Sequence, residues 1–396
     1  MDGVPGLELA YARPPETGQH ENGRARAFPS RVEIDLGALA ANVSWIKARV
    51  GGDVAIMAVV KANAYGHGAP AVARAALQNG ASLLAVANMA EALELREAHI
   101  DAPILVLSYV PVEAIPTAIE HELSISVFDE AFAERCISAA DIAGVKLKVH
   151  VKVDTGMGRL GLLPQAAYTV CSKLRNASGI KLIGLYTHFA TADDNLPYMR
   201  KQLKTFNGVL SQLRNARIQV EYIHTANSAA ALNGCDSYFN VVRPGVLLYG
   251  LEPMPQSGCA EFLQPVMSWK TQAAQVKTLP PDSPVGYGNA YRTRGSETIA
   301  VVPVGYADGL RRTPYTWREV LIHGRRAPLI GRVSMEKITV NVSHIQGVQA
   351  GDEVVLLGQQ GEDSITADEI AGWIGSNNYE VVTSIAPRVP RTILNH

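Results

Sequence analysis

The sequence is poor in cysteine, and its cysteines form neither a metal-binding nor a disulfide pattern. Four are present, Cys136, Cys171, Cys235 and Cys259, and no two of them make a CxxC pair. The sequence therefore predicts neither a zinc site nor a disulfide framework. Such spacing is typical of proteins from a reducing compartment, which favours a cytoplasmic location.

An excess of one charge and long apolar runs are also missing. The formal net charge is -1, which argues against the basic surface of a nucleic-acid-binding protein. No run approaches the ~18 consecutive apolar residues that a membrane helix needs. Residues 1–28 are polar and lack the apolar centre of a secretory signal, so we interpret them as a flexible leader. Small-molecule chemistry is the function class that remains.

From residue 54 onward, short apolar runs alternate with longer segments of helical character, which is typical of βα units around a parallel sheet. Eight runs are candidate strands: Val54–Val60, Leu83–Ala87, Ile104–Leu107, Ile125–Val127, Lys146–Val153, Leu182–Thr187, Tyr222–Thr225 and Val246–Leu248. Eight such strands over roughly two hundred residues predict a TIM-like (β/α)8 barrel in an α/β protein. An open, doubly wound sheet is the alternative.

After Pro253 the pattern changes to β-rich runs punctuated by Gly and Pro, with one short helical candidate at Ala367–Ile374. The candidate strands there are Ala300–Pro303, Glu319–Ile322, Ile338–Val342 and Glu353–Leu357. We expect a barrel over residues 29–255 and a mostly antiparallel β domain over residues 256–396. The early run Arg31–Asp35 also alternates like a strand, and the sequence leaves open whether it pairs with the β domain.

Lys61 is the first candidate for chemistry. It directly follows the apolar run Val54–Val60 and precedes a glycine-containing turn. Lysines are rarely buried without a partner, and barrel enzymes keep their reactive groups at the C-terminal ends of the strands. The alternative is a structural lysine whose amine reaches solvent at the strand end.

The segment around Lys61, Val59–Gly68, resembles the cofactor-binding signature of alanine racemases. Further segments resemble motifs of that family in the same order across residues 30–391: Val151–Gly161, Tyr186–Ala190, Ala226–Ala230, Arg243–Gly245, Tyr287–Gly288, Pro303–Gly309 and Gly331–Met335. The resemblance implies a pyridoxal 5′-phosphate-dependent amino-acid racemase, most simply one that interconverts L- and D-alanine for peptidoglycan. It also implies a homodimer whose active sites are shared between subunits, with no bound metal.

Two residues carry the proton transfers that the resemblance implies. A lysine amine can form a Schiff base with the cofactor aldehyde and can then exchange the proton at the substrate α-carbon, and Lys61 is the candidate. Tyr287 matches the base that the family supplies from the neighbouring subunit, and its step to Tyr306 equals the family spacing. A phenol titrates near pH 10 and needs activation. The resemblance implies that Arg243 polarises His188 and that His188 polarises Tyr287.

The cofactor contacts are also implied by the resemblance. Tyr65, Ser228, Gly245 and Val246 match positions that hold the phosphate, which suits the glycine-containing loops that present backbone N–H donors. Arg243 matches the residue placed against the pyridine nitrogen. Because arginine does not give up its proton, it leaves that nitrogen unprotonated, which favours α-proton exchange over transamination.

The substrate contacts follow from the same motifs. Arg159 matches the residue that faces the substrate carboxylate and the cofactor's ring hydroxyl, and Met335 matches one that approaches the carboxylate from the partner subunit. Lys152 precedes Arg159 on the strand entering the Thr-Gly-Met-Gly turn, and two basic residues so placed repel each other. In the family the equivalent lysine is often carbamylated, and we expect the same of Lys152.

Two positions depart from the family pattern. Glu336 replaces an aspartate, and Pro387 replaces a tyrosine that narrows the site. The added volume predicts some activity on L-serine, although pocket size discriminates by only ~1–3 kcal/mol per methylene. The alternatives are a racemase of broader specificity, a barrel-type pyridoxal-phosphate decarboxylase and a non-catalytic pyridoxal-phosphate carrier. The decarboxylase should carry a catalytic cysteine and a glycine-rich loop in the β domain, and the carrier should lack the β domain.

Overall fold

A computed structural model describes residues 28–254, 258–313 and 316–394, so residues 1–27 of the predicted leader lie outside it. In these ranges, eight parallel strands close into a barrel, which confirms the predicted architecture. The strands are β2 (Ala55–Val59), β3 (Ala81–Val86), β4 (Ile104–Val106), β5 (Ser124–Val127), β6 (Leu147–Lys152), β7 (Ile180–Tyr186), β8 (Tyr222–His224) and β9 (Val241–Val242). All except β8, of which only His224 is buried, are buried over most of their length because helices cover the outside of the barrel.

One predicted barrel strand is wrong. Val246–Leu248 belongs to a 3-10 helix, Val246–Tyr249, and β9 closes the barrel instead by pairing with β2 and β8. All four residues of the 3-10 helix are buried, and a short buried apolar run has the same composition in a helix as in a strand. Gly250, with φ of 73°, ends the 3-10 helix in the left-handed region.

Helices connect the barrel strands, and polar residues begin several of them. The helices are α1 (Leu36–Val50), α2 (Ala69–Gln78), α3 (Met89–Glu97), α4 (Ile115–Glu120), α5 (Glu130–Ala143), α6 (Pro164–Asn176), α7 (Leu196–Asn215) and α8 (Ser228–Asn233). The side chains of Asp35, Asn88 and Asp129 cap α1, α3 and α5 by accepting a backbone hydrogen bond. None of the described helices is long and apolar enough to cross a membrane.

The β domain is built on one large, mostly antiparallel sheet. Among the described residues its strands are β1 (Arg31–Asp35), β10 (Met267–Gln272), β11 (Gln275–Leu279), β14 (Glu297–Val302), β15 (Glu319–Ile322), β16 (Arg325–Ile330), β17 (Ile338–Asn341), β18 (Glu353–Gln360), β19 (Asp363–Ile365) and β20 (Arg391–Leu394). They lie in the order β11-β14-β17-β16-β15-β18-β10-β1-β20, with β19 beside β18. Two short strands, β12 (Pro284–Val285) and β13 (Tyr291–Arg292), form a separate hairpin.

The first of the described strands belongs to this sheet. β1 pairs antiparallel with β10, with Val32 opposite Trp269, and parallel with β20, with Val32 opposite Arg391. The chain thus contributes a strand that lies second from one edge of the β sheet before it enters the barrel. Trp269 packs edge-on against Trp317 at a ring separation of 5.7 Å, and both are buried in the core of the β domain.

Two α-helices of the β domain are described, where the sequence predicted one helix. α9 (Ala367–Ile374) matches the prediction, and the expectation of a single helix is wrong because α10 (Asn378–Thr383) follows it. α10 is a six-residue helix capped by Asn377, too short to show a clear apolar period. It lies against the turn after β2, where a Cβ at Gly66 would stand 2.8 Å from the Val382 carbonyl. α10 therefore brings the β domain to the mouth of the barrel.

Candidate active site

A cavity of about 960 Å³ opens at the C-terminal ends of the barrel strands. This is the size range of small-molecule sites. The sequence-predicted site residues that line it are Lys61, Tyr65, Lys152, Arg159, His188, Ser228, Arg243, Gly245 and Val246. Although they are spread over 186 positions of sequence (from 61 to 246), the parallel strands deliver them to one end of the barrel. We call this cavity the barrel cavity.

The turn that carries Lys61 has an unusual backbone. Ala62, Asn63, Ala64 and Tyr65 have φ values of 53°, 52°, 53° and 53°, so four successive residues with a Cβ lie in the left-handed region. Each such residue costs ~1–2 kcal/mol, so the turn needs partners. The Ala62 N–H donates to Glu91 Oε1 at 2.9 Å, and Asn63 Oδ1 accepts the N–H of residue 69 at 2.7 Å.

The environment of Lys61 favours a neutral amine. Burial lowers the pKa of Lys61, the positive charge of Arg159 lowers it further, and Glu91 partly opposes both. A larger neutral fraction makes the amine a better nucleophile and base near neutral pH.

Arg243 begins a fully buried chain of histidines under the cavity. It donates from Nη1 to His224 Nδ1 at 2.9 Å, and His224 Nε2 lies 2.9 Å from His150 Nδ1. Burial, together with the positive charge of Arg243, lowers the pKa of His150 to about 3 and that of His224 well below its usual value, so both rings are neutral. Because arginine can only donate, His224 carries its proton on Nε2 and donates it to His150.

The same argument applies to His188. Arg243 Nη2 lies 3.4 Å from His188 Nδ1, and burial and then the charge of Arg243 hold the pKa of His188 well below its usual value. The ring is therefore neutral, its Nδ1 faces a donor, and its proton resides on Nε2. Arg243 also donates to the Thr187 carbonyl at 2.9 Å, which fixes the guanidinium in place.

The sequence prediction missed His150 and His224. Each lies in a barrel strand next to apolar residues, so its most direct interpretation from sequence is a core histidine. The space for His150 comes from Gly184 on the neighbouring strand, because a Cβ there would lie 1.9 Å from His150 Nδ1. Two histidines in the strands on either side of β7, which carries Gly184, were the signal that could have indicated a polar layer in the barrel.

Lys152 lies beside the aromatic floor of the cavity. Its Nζ is 5.5 Å from the centre of the Tyr186 ring. Burial lowers the pKa of Lys152 to about 8, and the charges of Arg159 and Arg243 add to the effect. Because Lys61 lines the same cavity, four basic side chains surround the space. Two of them, Arg159 and Arg243, are arginines that stay charged, and such a site suits a negatively charged ligand.

The opposite wall of the cavity presents small polar groups. Ser228 Oγ accepts the Gly245 N–H at 2.9 Å, and Asn227 caps the helix that Ser228 begins. A Cβ at Gly245 would stand 2.5 Å from the Tyr65 hydroxyl. The absence of that Cβ lets the tyrosine hydroxyl reach the Gly245 backbone, and together these groups form a cradle without acidic side chains.

Tyr287, Tyr306 and Met335 do not line the barrel cavity of their own chain. Their side chains are 65%, 39% and 55% exposed on the β domain, and we call this surface the exposed face. Two of its turns are tied together, because the Tyr306 N–H donates to the Ser334 carbonyl and the Ala307 N–H to the Met335 carbonyl, at 3.1 and 2.9 Å. The turn of Tyr287 packs on the segment that leads to Met335, where a Cβ at Gly286 would lie 3.4 Å from Arg332 N.

Glu336 and Pro387, the two residues that depart from the family pattern, lie next to the exposed face. Arg388 contacts Glu336 through Nη2 at 3.3 Å and the buried Asp308 through Nε at 2.7 Å. The Glu336–Arg388 ion pair thus connects the turn of Met335 to the segment that precedes β20. Pro387 is exposed beside Arg388 and is not among the residues that line the barrel cavity.

The cavity also has a wall that the sequence prediction missed. Asn377, Tyr379, Glu380 and Thr383, from the region of α10, line it. The Tyr379 ring centre lies 6.5 Å from that of Tyr65. These residues were missed because α10 itself was not predicted.

Comparison with known proteins is consistent along the chain. A model of the alanine racemase N-terminal domain matches residues 34–253, and one of the C-terminal domain matches residues 266–393. Alanine racemase 2 of Caldanaerobacter subterraneus is 40% identical over 92% of this chain and 94% of its own. The alanine racemase of Halothermothrix orenii is 42% identical over 93% and 97%.

Solved structures give the same result. The alanine racemase of Clostridium difficile 630 superposes with a TM-score of 0.88 at 37% identity and covers 93% of this chain and 96% of its own. That of Bacillus anthracis, solved with bound L-Ala-P, has a TM-score of 0.85 at 40% identity over 93% and 95%. Both likenesses extend over the barrel and the β domain together.

Proposed function

This chain belongs to the alanine racemase family and is an amino-acid isomerase, and we propose that it interconverts L- and D-alanine with Lys61 and Tyr287 as its two proton-transferring groups. The observation that carries the proposal is the barrel cavity, in which a lysine amine of lowered pKa lies among cationic and small polar groups. The family is pyridoxal-phosphate-dependent, and the residues of this cavity fit that cofactor.

The fit rests on two parts of the cavity. The cradle formed by Tyr65, Ser228, Gly245 and Val246 has hydroxyls and backbone N–H groups suited to a phosphate. Arg243, fixed by its bonds to His224 and Thr187, would face the pyridine nitrogen, and Lys61 would carry the cofactor. When bound, pyridoxal phosphate supplies a conjugated ring that accepts electron density from the substrate α-carbon.

Each base has a defined task. The Lys61 amine takes or returns the α-proton on one face of the substrate, and its lowered pKa keeps part of the amine unprotonated. On the other face, Tyr287 of a partner subunit performs the same transfer. His188, neutral and with its proton on Nε2, can donate a hydrogen bond that stabilises the phenolate form of that tyrosine.

The homodimer is part of the proposal. Tyr287, Tyr306 and Met335 are large exposed side chains on one face, and burying them over a partner's barrel cavity would complete both sites by two-fold symmetry.

Mixing two inactive variants tests this arrangement. Lys61→Ala and Tyr287→Phe proteins should each retain less than about one part in a hundred of wild-type activity. After subunit exchange, the Tyr287→Phe subunit of a mixed dimer keeps Lys61 and receives an intact Tyr287 from its partner. Random exchange should then restore about a quarter of the wild-type racemase activity.

The control replaces the Tyr287→Phe protein with the double variant Lys61→Ala/Tyr287→Phe, which should restore nothing. Native mass spectrometry measures the fraction of mixed dimers in both experiments. Mixed dimers that form but remain inactive would contradict a site shared between subunits.

We also propose that Arg159 binds the substrate carboxylate and that Lys152 is carbamylated. The neutral amine adds to carbon dioxide and releases a proton to solvent, which yields a carbamate anion that can neutralise Arg159. Because the pKa of Lys152 is lowered to about 8, occupancy should rise as the pH increases through this value in bicarbonate buffer. Native mass spectrometry should find one added carbon dioxide per chain, absent in Lys152→Met. An unmodified mass at pH 8 or above would refute the modification.

A further inference from the structure

His67 is a buried histidine to which the proposed function gives no task. Its side chain is fully buried, and its ring stacks on Tyr249 at a centre-to-centre distance of 4.4 Å. Nδ1 lies 2.9 Å from the Ala64 carbonyl and 3.0 Å from the Tyr65 carbonyl. Across the described ranges, Nε2 finds no hydrogen-bond partner.

These contacts determine the state of the ring. Two carbonyl oxygens can only accept, so Nδ1 must carry the proton and share it between them. Burial lowers the pKa of His67 to about 4, so Nε2 is unprotonated at neutral pH. The cost of burying an unpaired Nε2 shows that the residue is more than apolar filling, because a phenylalanine would pack the same space without that cost.

The carbonyls that His67 holds belong to the left-handed turn. Ala64 and Tyr65 are its last two members that carry a Cβ at positive φ, and Gly66 follows them at φ of 83°. Other groups hold the rest of the turn: Glu91 accepts from the Ala62 N–H, and Arg391 donates to the Gly66 carbonyl at 3.0 Å. His67 therefore fixes the end of the turn from which the Tyr65 side chain enters the cavity.

The aromatic stack acts on the same side chain. His67 packs on Tyr249, and Tyr249 packs on Tyr65 at 4.9 Å. The Tyr249 hydroxyl donates to the Val59 carbonyl at 2.9 Å, at the end of the strand that leads to Lys61. The ring of His67 thus contacts the supports of both Lys61 and Tyr65.

We propose that His67 is a positioning residue whose Nδ1–H, shared between the Ala64 and Tyr65 carbonyls, holds the left-handed turn in the conformation that presents Lys61 and Tyr65 to the barrel cavity. The proposal rests on the proposed function for what the two side chains then bind. It assigns no contact between His67 and the cofactor or substrate.

Three variants separate this role from simple packing. His67→Phe keeps the stack on Tyr249 and removes the donor, whereas His67→Asn keeps an N–H close to the position of Nδ1. Leu174→Ala, in a fully buried position of α6, destabilises the barrel without touching the turn. Hydrogen exchange of residues 61–68 and equilibrium binding of pyridoxal 5′-phosphate are measured for all three and for the wild-type protein.

In His67→Phe we expect turn amides to exchange about tenfold faster and the Kd for pyridoxal 5′-phosphate to rise about tenfold, the factor for one lost hydrogen bond. His67→Asn should bind within about threefold of wild type, and Leu174→Ala should leave both quantities unchanged although its melting temperature falls. Wild-type exchange and affinity in folded His67→Phe would overturn the proposal, as would an equal loss in Leu174→Ala.

If His67→Phe does not fold, a measurement on the wild-type protein still tests the proposal. The ¹⁵N signals of the His67 ring, identified by their loss in His67→Asn, should show a protonated Nδ1 and an unprotonated Nε2. The reverse tautomer or a doubly protonated ring would overturn the proposal. A wild-type protein that captured no pyridoxal 5′-phosphate at Lys61 would instead refute the proposed function, because neither the exchange nor the tautomer measurement depends on the cofactor.

Discussion

The barrel cavity and the exposed face of the β domain differ in how far their own chain holds them in place. Lys61 and Arg243 lie among hydrogen-bonded neighbours at the mouth of a closed barrel, and Arg243 is almost completely buried. Tyr287, at 65% exposed, has a well-defined backbone but a side chain largely in solvent. One region is preorganised within the chain, whereas the other would gain its surroundings only in the proposed homodimer. Substitutions should therefore affect stability, cofactor binding and turnover differently in the two regions.

Tyr287→Phe should have the largest effect on turnover and almost none on folding. Loss of a proton-transferring group should lower racemisation by ~10²–10⁴-fold, while the exposed position should keep the free energy of unfolding within ~0.5 kcal/mol. Deuterium uptake at the α-carbon without inversion would show that the Lys61 face still works. The control is Tyr168→Phe, another exposed tyrosine. Unchanged racemisation in Tyr287→Phe would remove the exposed face from the mechanism.

Gly245→Ala should lower the affinity of the barrel cavity for the cofactor. The added methyl would stand 2.5 Å from the Tyr65 hydroxyl, and overpacking of ~1–3 kcal/mol corresponds to a rise in the Kd for pyridoxal 5′-phosphate of ~5–150-fold. Gly52→Ala, where a Cβ meets nothing within 4 Å, is the control. Wild-type affinity in Gly245→Ala would show that the cradle is not the phosphate site.

Acid should lower the free energy of unfolding because of the buried histidines around the barrel cavity. Burial lowers the pKa of His67 to about 4 and of His150 to about 3, and that of His188 and His224 well below the usual value. The native state therefore binds fewer protons than the unfolded state, and stability should fall as the pH drops from ~6.5 toward 4, by up to ~1.4 kcal/mol per pH unit for each histidine. The urea midpoint measured against pH tests this. A His67→Phe variant should show a shallower slope, and a flat wild-type profile would contradict neutral burial of these rings.

The smallest expected effect is a change in substrate specificity caused by Pro387. Pro387 is exposed and does not line the barrel cavity, whereas the longer tyrosine of the family pattern would reach further toward it. We therefore expect measurable turnover of L-serine, and Pro387→Tyr should lower the serine-to-alanine ratio of kcat/KM by about tenfold. The alanine rate serves as the internal control. Serine turnover below detection in the wild-type protein would argue against an enlarged pocket.

Most of the fold was predictable because the barrel strands are short apolar runs separated by capped helices. The failures have local causes. Val246–Leu248 is apolar because it is buried, and burial does not distinguish a 3-10 helix from a strand. The left-handed turn after Lys61 was not predicted because alanine and tyrosine have no preference for positive φ, and its contacts come from distant residues such as Glu91.

The candidate site divides in the same way. Lys61 was indicated by its place at a strand end. Tyr287 and Met335 followed only from the family resemblance, because an exposed side chain has no pattern that marks it. His67, His150 and His224 acquire their tautomers from partners that only the folded chain brings within hydrogen-bond distance.

The position of β1 has a consequence for how the protein is made. During synthesis from the N-terminus, β1 emerges first, yet its neighbours are β10 and β20, which ends at Leu394. The whole barrel must leave the ribosome before that strand can find either neighbour, and such distant pairings form slowly. A fragment that began at residue 256 would lack β1 between β10 and β20, so the β domain has no contiguous stretch of sequence from which it could assemble alone.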